Sequence, residues 1–195
     1  MTSSHGISTK GEKMRFEKGA FYHIYNRSNN NEALFPLREN YRYFFQKCET
    51  YLRPYCAVLA YCLMPTHFHF LVRIETDDSR LMSNQFAILL RSYTRAINKR
   101  FARHGNLFQQ NTKAKRVDDE SYLLLLMNYI HQNPVRAGLV NRPANWEFSS
   151  YRDHARIRNG TIVDRTLMTH YFQSPEAFVQ FSLGISESAG GSFRG

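Results

Sequence analysis

Two histidines separated by one residue, His67 and His69, lie inside an apolar run of the chain, residues 62–72. Because side chains on a β-strand alternate between its faces, both imidazoles project from one face, and Phe68 and Phe70 project from the other. Two neighbouring imidazoles on a rigid strand can act as adjacent ligands of one metal ion, although a satisfied core pair would show the same spacing. The pair suggests a metal-dependent enzyme.

A tyrosine and an amide share one edge of a helix predicted further along the chain. In the helical spacing of residues 122–133, Tyr129 lies beside the core stripe, and Asn133 follows one turn later. The stripe itself consists of Leu123, Leu126, Met127 and Ile130. Spacing alone favours structural roles, with Tyr129 as an amphipathic filler and Asn133 as a helix cap.

Phosphodiester chemistry would use the histidine pair and the tyrosine–amide pair together. A tyrosine phenol, with an ordinary pKa of about 10, is a poor nucleophile at neutral pH. It becomes useful when a metal ion polarises the scissile phosphate and neutralises the developing charge. Two neutral imidazoles and an amide oxygen would supply three ligands. Attack by Tyr129 would conserve the phosphodiester energy in a phosphotyrosine link, which a DNA hydroxyl could later reverse.

Composition narrows the class of protein. The chain has 195 residues, 43% of them hydrophobic and 22% charged, which predicts one ordinary globular domain. A formal charge of +10 and a pI near 9.7 favour a polyanionic partner such as nucleic acid over a merely basic protein. Three cysteines without a C-x-x-C pair indicate neither a disulfide framework nor a zinc cage. No apolar stretch reaches the ~20 residues that span a bilayer, so a cytoplasmic protein is expected.

Alternating extended and helical patterns predict an α+β fold. Strands are expected at residues 19–27, 55–63, 66–74 and 113–117. The break between the second and third strands is so short that they should form an antiparallel hairpin. Helices are expected at residues 39–52, 83–104 and 118–132, with further short helices at 146–155 and 175–183. This order matches a ferredoxin-like or RRM-like antiparallel sheet with helices on one face, plus appended C-terminal helices.

Pro134 sets the expected end of the third helix, because a proline disfavours the helical conformation of the residue before it. Residues 1–14 are expected to be a mobile leader and residues 15–155 the functional domain. Residues 156–183 form an appended helical segment in this prediction, and the Gly/Ser-rich residues 184–195 a disordered tail. No second domain is indicated.

Three groups of residues are candidates for contact with nucleic acid. The long second helix carries cations at i+4 spacing without interleaved acids, which makes phosphate contact as plausible as a merely solvated face. These cations are Arg91, Arg95, Lys99 and Arg103. The short fourth strand adds Lys113, Lys115 and Arg116. The end of the first strand adds Asn26 and Arg27.

The remaining aromatic and histidine side chains have less definite roles. Tyr25 and Tyr61 could either stack on bases or pack in the core. His131 is two residues from Tyr129 and points away from it on a helix, which indicates a structural or surface residue. His23 and His104 have no evident partner in the sequence.

Two segments together resemble the HUH family of single-tyrosine transposases. Residues 64–72, M-P-T-H-F-H-F-L-V, resemble the HUH motif itself (His, hydrophobic, His). Residues 129–140, Y-I-H-Q-N-P-V-R-A-G-L-V, resemble the tyrosine-bearing segment. Weaker likeness at residues 22–27, 91–94 and 107–109 extends the match over about residues 19–155. The closest likeness is to the REP-associated tyrosine transposases, which act on repeated palindromic DNA and share the IS200-like fold.

The resemblance implies specific roles. His67 and His69 would bind Mg²⁺ or Mn²⁺, with Asn133 as third ligand and Gln132 as the competing candidate. Tyr129 would form a 5′-phosphotyrosine link to single-stranded or hairpin DNA and leave a free 3′-hydroxyl. Because imidazole is a less natural ligand for Mg²⁺, Mn²⁺ is expected to support activity at least equally well.

The expected protein is thus a nucleoid-associated DNA nicking and joining enzyme, and a homodimer is possible. Its rival is a non-catalytic nucleic-acid-binding protein on an RRM-like sheet, such as a domesticated relative of such an enzyme. The two hypotheses predict the same charge, aromatic content and fold. They differ in the histidine pair and Tyr129, which a pure binding protein does not need.

Overall fold

A four-stranded antiparallel sheet forms the centre of the protein. The computed structural model describes residues 15–188. The strands are β1 (Phe21–Arg27), β2 (Cys56–Met64), β3 (His67–Ile74) and β4 (Lys113–Val117). Their order across the sheet is β2-β3-β1-β4, so β1 and β3 are the central pair and β4 is an edge strand. This ferredoxin-like order confirms the predicted α+β fold class.

Helices cover both faces of the sheet. They are α1 (Arg38–Tyr51), α2 (Leu81–Arg100), α3 (Glu120–Arg136), α4 (Tyr151–His154), α5 (Thr166–Tyr171) and α6 (Pro175–Ser188). α1 and α2 pack on one face through an aromatic core that includes Phe44, Phe68 and Tyr93. The predicted arrangement had the helices of the functional domain on one face only, and α3 departs from it. α3 packs on the opposite face, mainly against β2, and α4 and α6 complete that second core. No helix in residues 15–188 is long and apolar enough to cross a membrane.

The hairpin of β2 and β3 fixes the direction of the two motif histidines. Met64 pairs with His67, which leaves Pro65 and Thr66 as a two-residue turn. From this point the side chains alternate, and Phe68 and Phe70 are fully buried against α1 and α2. The two histidines therefore face α3, on the side of the sheet opposite the phenylalanines, as their spacing predicts.

Helix α3 does not end before Pro134, and the prediction that it would is wrong. The proline lies in the last turn, where its missing N–H removes only one hydrogen bond of the helix. The turn continues because the N–H of Ala137 donates to the carbonyl of Asn133 at 2.9 Å. The added turn brings Arg136 onto the edge of the helix that carries Tyr129.

The C-terminal region differs from its prediction in three ways. Residues 146–155 contain only the four-residue α4, because residues 148–150 extend along β2 instead of coiling: Leu63 N–H donates to Phe148 O at 2.9 Å and Ser150 N–H to Tyr61 O at 3.0 Å. Helix α5 was not predicted. Helix α6 continues to residue 188, so residues 184–188 do not belong to a disordered tail, because a single glycine weakens a helix without ending it. The predicted leader, 1–14, and residues 189–195 lie outside the described residues.

An ion pair between a buried carboxylate and a partly exposed arginine ties the appended segment to the sheet. The carboxylate of Asp153 is fully buried and accepts hydrogen bonds from the Arg158 guanidinium and from the N–H of Gly160 at 2.8 Å. Arg158 also donates to the hydroxyl of Tyr61 at 2.7 Å. Tyr61 is therefore a core residue, and the alternative that it stacks on a base is wrong. This contact and the 2.8 Å bond from Asp164 N–H to Val58 O cover the outer edge of β2.

The buried histidine of α4 makes stability depend on pH. Burial lowers the pKa of His154 to about 4, and its Nε2 lies 2.8 Å from the carbonyl of Leu59. An unfolded histidine titrates near pH 6.5, so between that pH and about 4 the unfolded chain binds more protons than the folded chain. Stability therefore falls as the pH falls, and this one group should cost about 2 kcal/mol between about pH 7.5 and 5.

We expect His154→Gln, which can still donate to Leu59 but cannot titrate, to remove about 2 kcal/mol of that acid sensitivity. The measurement is urea unfolding at the two pH values. The exposed His104 supplies the control, and His104→Gln should leave the pH dependence unchanged. The same acid sensitivity in His154→Gln and in the unsubstituted protein would contradict the assignment.

Candidate active site

A cleft of about 460 Å³ separates the outer face of the sheet from α3. One wall consists of side chains from β1, β3 and β4 that project toward the helix, and the other wall is the edge of α3. The cleft brings together His67, His69, Tyr129 and Asn133, the four residues predicted to carry the chemistry. Strand alternation selects the residues of the first wall, and helical spacing selects those of the second.

The two motif histidines use the same ring nitrogen within the protein. Nδ1 of His69 lies 2.9 Å from Nε2 of His23, and Nδ1 of His67 lies 3.2 Å from the hydroxyl of Thr66. Each ring therefore has Nε2 left as the nitrogen that could bind a metal ion. The rings are close, with centroids 5.3 Å apart and planes nearly perpendicular.

The electrostatic environment keeps both imidazoles neutral. Burial lowers the pKa of His69 well below its ordinary value, and the neighbouring His23, His67 and Arg27 lower it further. Burial and the positive charge of Arg27 also lower the pKa of His67. Neutral imidazole is the form that binds metals, so both side chains are in the required state at neutral pH.

Tyr129 contacts one of the two motif histidines directly. Its ring meets that of His69 edge to face, with centroids 5.9 Å apart. The Arg136 guanidinium lies 5.2 Å from the centroid of the Tyr129 ring, within the range of a cation–π contact. The amide nitrogen of Asn133 donates to the carbonyl of Tyr129 at 2.9 Å, which leaves the Asn133 amide oxygen free to accept.

The other candidate amide, Gln132, faces away from the cleft. It is buried between α3 and α6, where its Nε2 donates to the carbonyl of Ser182 at 3.1 Å. The hydroxyl of Ser182 in turn donates to the amide oxygen of Asn128 at 2.9 Å. Gln132 thus anchors α6 on α3, and its prediction as an alternative ligand is wrong because adjacent helix positions point about 100° apart.

These residues fit a divalent ion with three neutral ligands. Within residues 15–188 no three His, Cys, Asp or Glu side chains converge in a metal-binding arrangement, so the third ligand of such a set is sought among neutral oxygens. Asn133 offers one on the same cleft as both histidines. Because this set carries no negative charge, a phosphate oxygen of a bound substrate would complete it favourably.

The predicted DNA-contacting cations fall into two groups on opposite faces of the sheet. Arg27, Lys113 and Lys115 line the cleft, where Arg136 joins them. Arg91 and Arg95 are exposed on α2 and line a groove on the other face, which continues past Lys113 at the β4 edge. Lys99 is also exposed on α2.

Three residues that were predicted to contact nucleic acid already form ion pairs or hydrogen bonds within the protein. Arg103 lies just after the end of α2 and is paired with Glu32, so this cation has an acidic partner from a distant segment although the predicted stripe contains no acid. Arg116 is paired with Glu17 and Asp118 at the sheet edge. Asn26 is buried, and its amide donates to Thr112 Oγ1 at 3.0 Å and to Gln109 O at 3.2 Å, while its oxygen accepts from Arg27 N–H at 2.7 Å. Glu32 and Glu17 come from distant segments, which the spacing along one helix or strand does not reveal, whereas Asp118 is only two residues after Arg116.

Several residues of the cleft were missed in the sequence. Arg136 was missed because α3 was expected to end before Pro134; had the helix been continued, its i+7 spacing from Tyr129 would have indicated it. His23 and Tyr25 alternate with buried residues along β1 on the cleft face, and Tyr25 stacks on His23 with centroids 4.7 Å apart. Tyr122 and Leu125 of α3 expose 39% and 40% of their surface at one end of the cleft.

The family assignment follows from this fold and from sequence comparison. The family described as Transposase IS200 like matches residues 18–133, and the chain belongs to that family. A putative REP-associated tyrosine transposase of Haemophilus influenzae is 29% identical over 116 residues, which cover 54% of this chain and 63% of that protein. The match thus spans less than two thirds of the relative's length.

A solved structure supports the same fold. It is described as a REP-associated tyrosine transposase bound to a REP hairpin, and it matches with a TM-score of 0.60 at 18% identity. The match covers 82% of this chain and 96% of the other. The predicted resemblance to the HUH single-tyrosine transposases is confirmed.

The two neighbouring amides of α3 give a direct test of their different surroundings. Gln132→Ala should lower the free energy of unfolding by about 1–3 kcal/mol, because it leaves the buried carbonyl of Ser182 without its donor. It should also speed amide hydrogen exchange in α6. Asn133→Ala is the matched control and should change stability by less than about 0.5 kcal/mol, because that side chain is half-exposed. Equal losses in the two variants would contradict this placement.

Proposed function

We propose that this protein is a metal-dependent endonuclease and strand transferase that acts on single-stranded or hairpin DNA through Tyr129. The observation that carries the proposal is the contact between Tyr129 and the histidine pair, with 5.9 Å between the ring centroids of Tyr129 and His69. A nucleophile and a pair of neutral metal-ligating side chains that meet in one basic cleft are suited to phosphodiester chemistry. Membership of the IS200-like transposase family supports the same activity.

The reaction assigns a role to each cleft residue. His67, His69 and Asn133 would hold Mg²⁺ or, with imidazole ligands, preferably Mn²⁺, which would polarise the scissile phosphate. The phenolic oxygen of Tyr129 gives its proton to solvent and forms a new bond to phosphorus. The bond from phosphorus to the 3′ oxygen breaks, and that oxygen takes a proton from solvent and leaves as a free hydroxyl. The DNA remains attached through a 5′-phosphotyrosine, and a hydroxyl of another strand end can reverse the step.

The shape and charge of the cleft favour unpaired DNA. Arg27, Lys113 and Lys115 provide positive charge for phosphates along one wall. Tyr122 and Leu125 provide a half-exposed apolar surface on the other wall, which suits bases that have lost their pairing partners. The solved relative bound to a REP hairpin supports hairpin DNA as the substrate.

One chain contains the whole proposed set of reactive residues. Tyr129 lies in the same cleft as the histidines of its own chain, so we propose that it acts on a phosphate bound by those histidines and not in a partner's site. The homodimer, the cytoplasmic location and the association with the nucleoid stay predictions from the sequence. Size-exclusion chromatography with light scattering, with and without DNA, would decide the first.

The tyrosine nucleophile can be tested by trapping its covalent link. Incubation with Mn²⁺ and a single-stranded hairpin oligonucleotide, labelled on the side that stays attached, should give a protein–DNA adduct that survives denaturation. Tyr129→Phe should abolish the adduct, because the ring remains but the attacking oxygen is gone. Gel electrophoresis and peptide mass spectrometry would locate the link.

Two controls separate chemistry from binding. His67→Ala should abolish the adduct and keep DNA binding within a few-fold, because the cations that bind phosphate are unchanged. An adduct that persists in Tyr129→Phe would overturn the proposed nucleophile. Binding without any adduct across hairpins drawn from the host genome's own repeats would favour the non-catalytic alternative.

The two groups of cations can be separated by substrate. We propose that the cleft cations contact the single-stranded segment, whereas Arg91 and Arg95 contact the hairpin stem. Arg27→Gln/Lys115→Gln changes two cations that line only the cleft, and it should weaken binding of a short single strand and lower its log–log salt dependence by about 1.4, for two lost phosphate contacts. Arg91→Gln/Arg95→Gln should weaken only the binding of a hairpin with a long stem. Fluorescence anisotropy over a salt series measures both, and identical effects of the two double variants on both DNAs would contradict the division.

A further inference from the structure

His23 and His69 form a buried side-chain pair on the cleft face of the sheet. Tyr25 pairs with His69 and His23 with Leu71 between the two central strands, so the two histidines are diagonal neighbours on one face. Their rings are nearly parallel, with an interplanar angle of 20° and centroids 5.1 Å apart. Nε2 of His23 lies 2.9 Å from Nδ1 of His69, which is a hydrogen bond between two imidazoles.

The ring of His23 is held in place from several sides. It is only 8% exposed. Tyr25 stacks on it with centroids 4.7 Å apart and also stacks on His69 at 5.8 Å. His23 therefore presents Nε2 to His69 in a fixed direction. The spacing of residues in the sequence did not indicate this role for His23.

A hydrogen bond between two neutral imidazoles holds one proton, and its position decides what His69 can do. If Nδ1 of His69 carries the proton and donates to His23, Nε2 of His69 keeps a lone pair that faces the cleft. If His23 carries the proton and donates, His69 must hold its own proton on Nε2, which then cannot bind a metal ion. Only the first arrangement is compatible with His69 as a ligand.

We propose that His23 is a positioning residue, which accepts the Nδ1 proton of His69 and so fixes both the tautomer and the orientation of that ring for metal binding. The proposal rests on the proposed function, because it requires His69 to be a ligand. A hydrogen-bonding partner behind a ligating histidine commonly sets its tautomer in metalloproteins. Here the partner comes from β1, and the neutral side chain of His23 adds no negative charge to a cleft that must attract phosphate.

Metal affinity measures this role without reference to turnover. Mn²⁺ binding can be followed by electron paramagnetic resonance in the Tyr129→Phe background, with a hairpin oligonucleotide present and no cleavage. His23→Phe keeps the ring and removes the acceptor, and it should weaken Mn²⁺ binding about 10–100-fold. His23→Gln offers an amide oxygen as acceptor and should restore most of the affinity. The exposed His104 supplies a control, and His104→Phe should leave affinity unchanged.

The tautomer itself gives a second, independent readout. Long-range ¹⁵N–¹H spectra of the metal-free protein should show His69 protonated on Nδ1, and the His23→Phe variant should lose this preference. Unsubstituted protein with the His69 proton on Nε2 would overturn the proposal even if every His23 variant failed to fold. Equal damage in His23→Gln and His23→Phe, with both folded, would overturn it as well.

The failure of the proposal is distinguishable from failure of the proposed function. If His69→Ala leaves Mn²⁺ affinity unchanged, the metal site itself is wrong. If His69→Ala abolishes Mn²⁺ binding but His23→Phe binds Mn²⁺ as tightly as the parent, the metal site stands and the positioning role of His23 is wrong.

Discussion

The antiparallel pairing of the two central strands, β1 and β3, determines which side chains meet in the cleft. Arg27 lies opposite His67 and Tyr25 opposite His69, and alternation sends all four to the same face. A shift of one residue in this register would turn the β1 side chains into the aromatic core and bring Ile24 and Asn26 into the cleft. The cost of burying Arg27 among phenylalanines makes that shift prohibitive, so the packing of the opposite face with α1 and α2 protects the arrangement of the cleft.

The cleft combines neutral side chains that could bind a metal ion with positively charged side chains around them. Burial keeps the imidazoles uncharged, the amide of Asn133 is neutral, and the nearby charges come from Arg27, Lys113, Lys115 and Arg136. A cation alone would bind weakly to such a site, because the surrounding charges repel it. A phosphate group is attracted to the site and brings the missing negative charge. Under the proposed function, a cation and a phosphate would therefore bind together, which would couple assembly of the reactive site to the arrival of DNA.

Local patterns of the sequence were sufficient to predict the sheet and to bring four predicted site residues to one cleft, and most of the errors arose where distant segments meet. Two of these patterns involve only neighbouring residues, so the sequence shows them directly. They are the alternation around His67 and His69 and the helical spacing of Tyr129 and Asn133. The predicted end of α3 before Pro134 was wrong, because the effect of a proline depends on whether the helix continues for one more turn. Three contacts join residues that are far apart in the chain, and no pattern within a single segment predicts them. They are the hydrogen bond between His23 and His69, 46 positions apart, the pairing of Arg103 with Glu32, 71 apart, and the bond from Gln132 to α6, 50 apart.

The contacts between Ser182 and α3 also impose an order on how the molecule is assembled during synthesis. Asn128 and Gln132 find their partner 54 and 50 residues later in the chain, whereas every strand of the sheet is complete by Val117. A growing chain can therefore pair its strands and orient its histidines before the segment that steadies the tyrosine helix has left the ribosome. Until α6 docks, Gln132 has no buried partner, and α3 is held by its apolar stripe and by the 2.7 Å hydrogen bond between His131 Nε2 and Ser150 Oγ. Docking of α6 thus completes the tyrosine-bearing wall of the cleft.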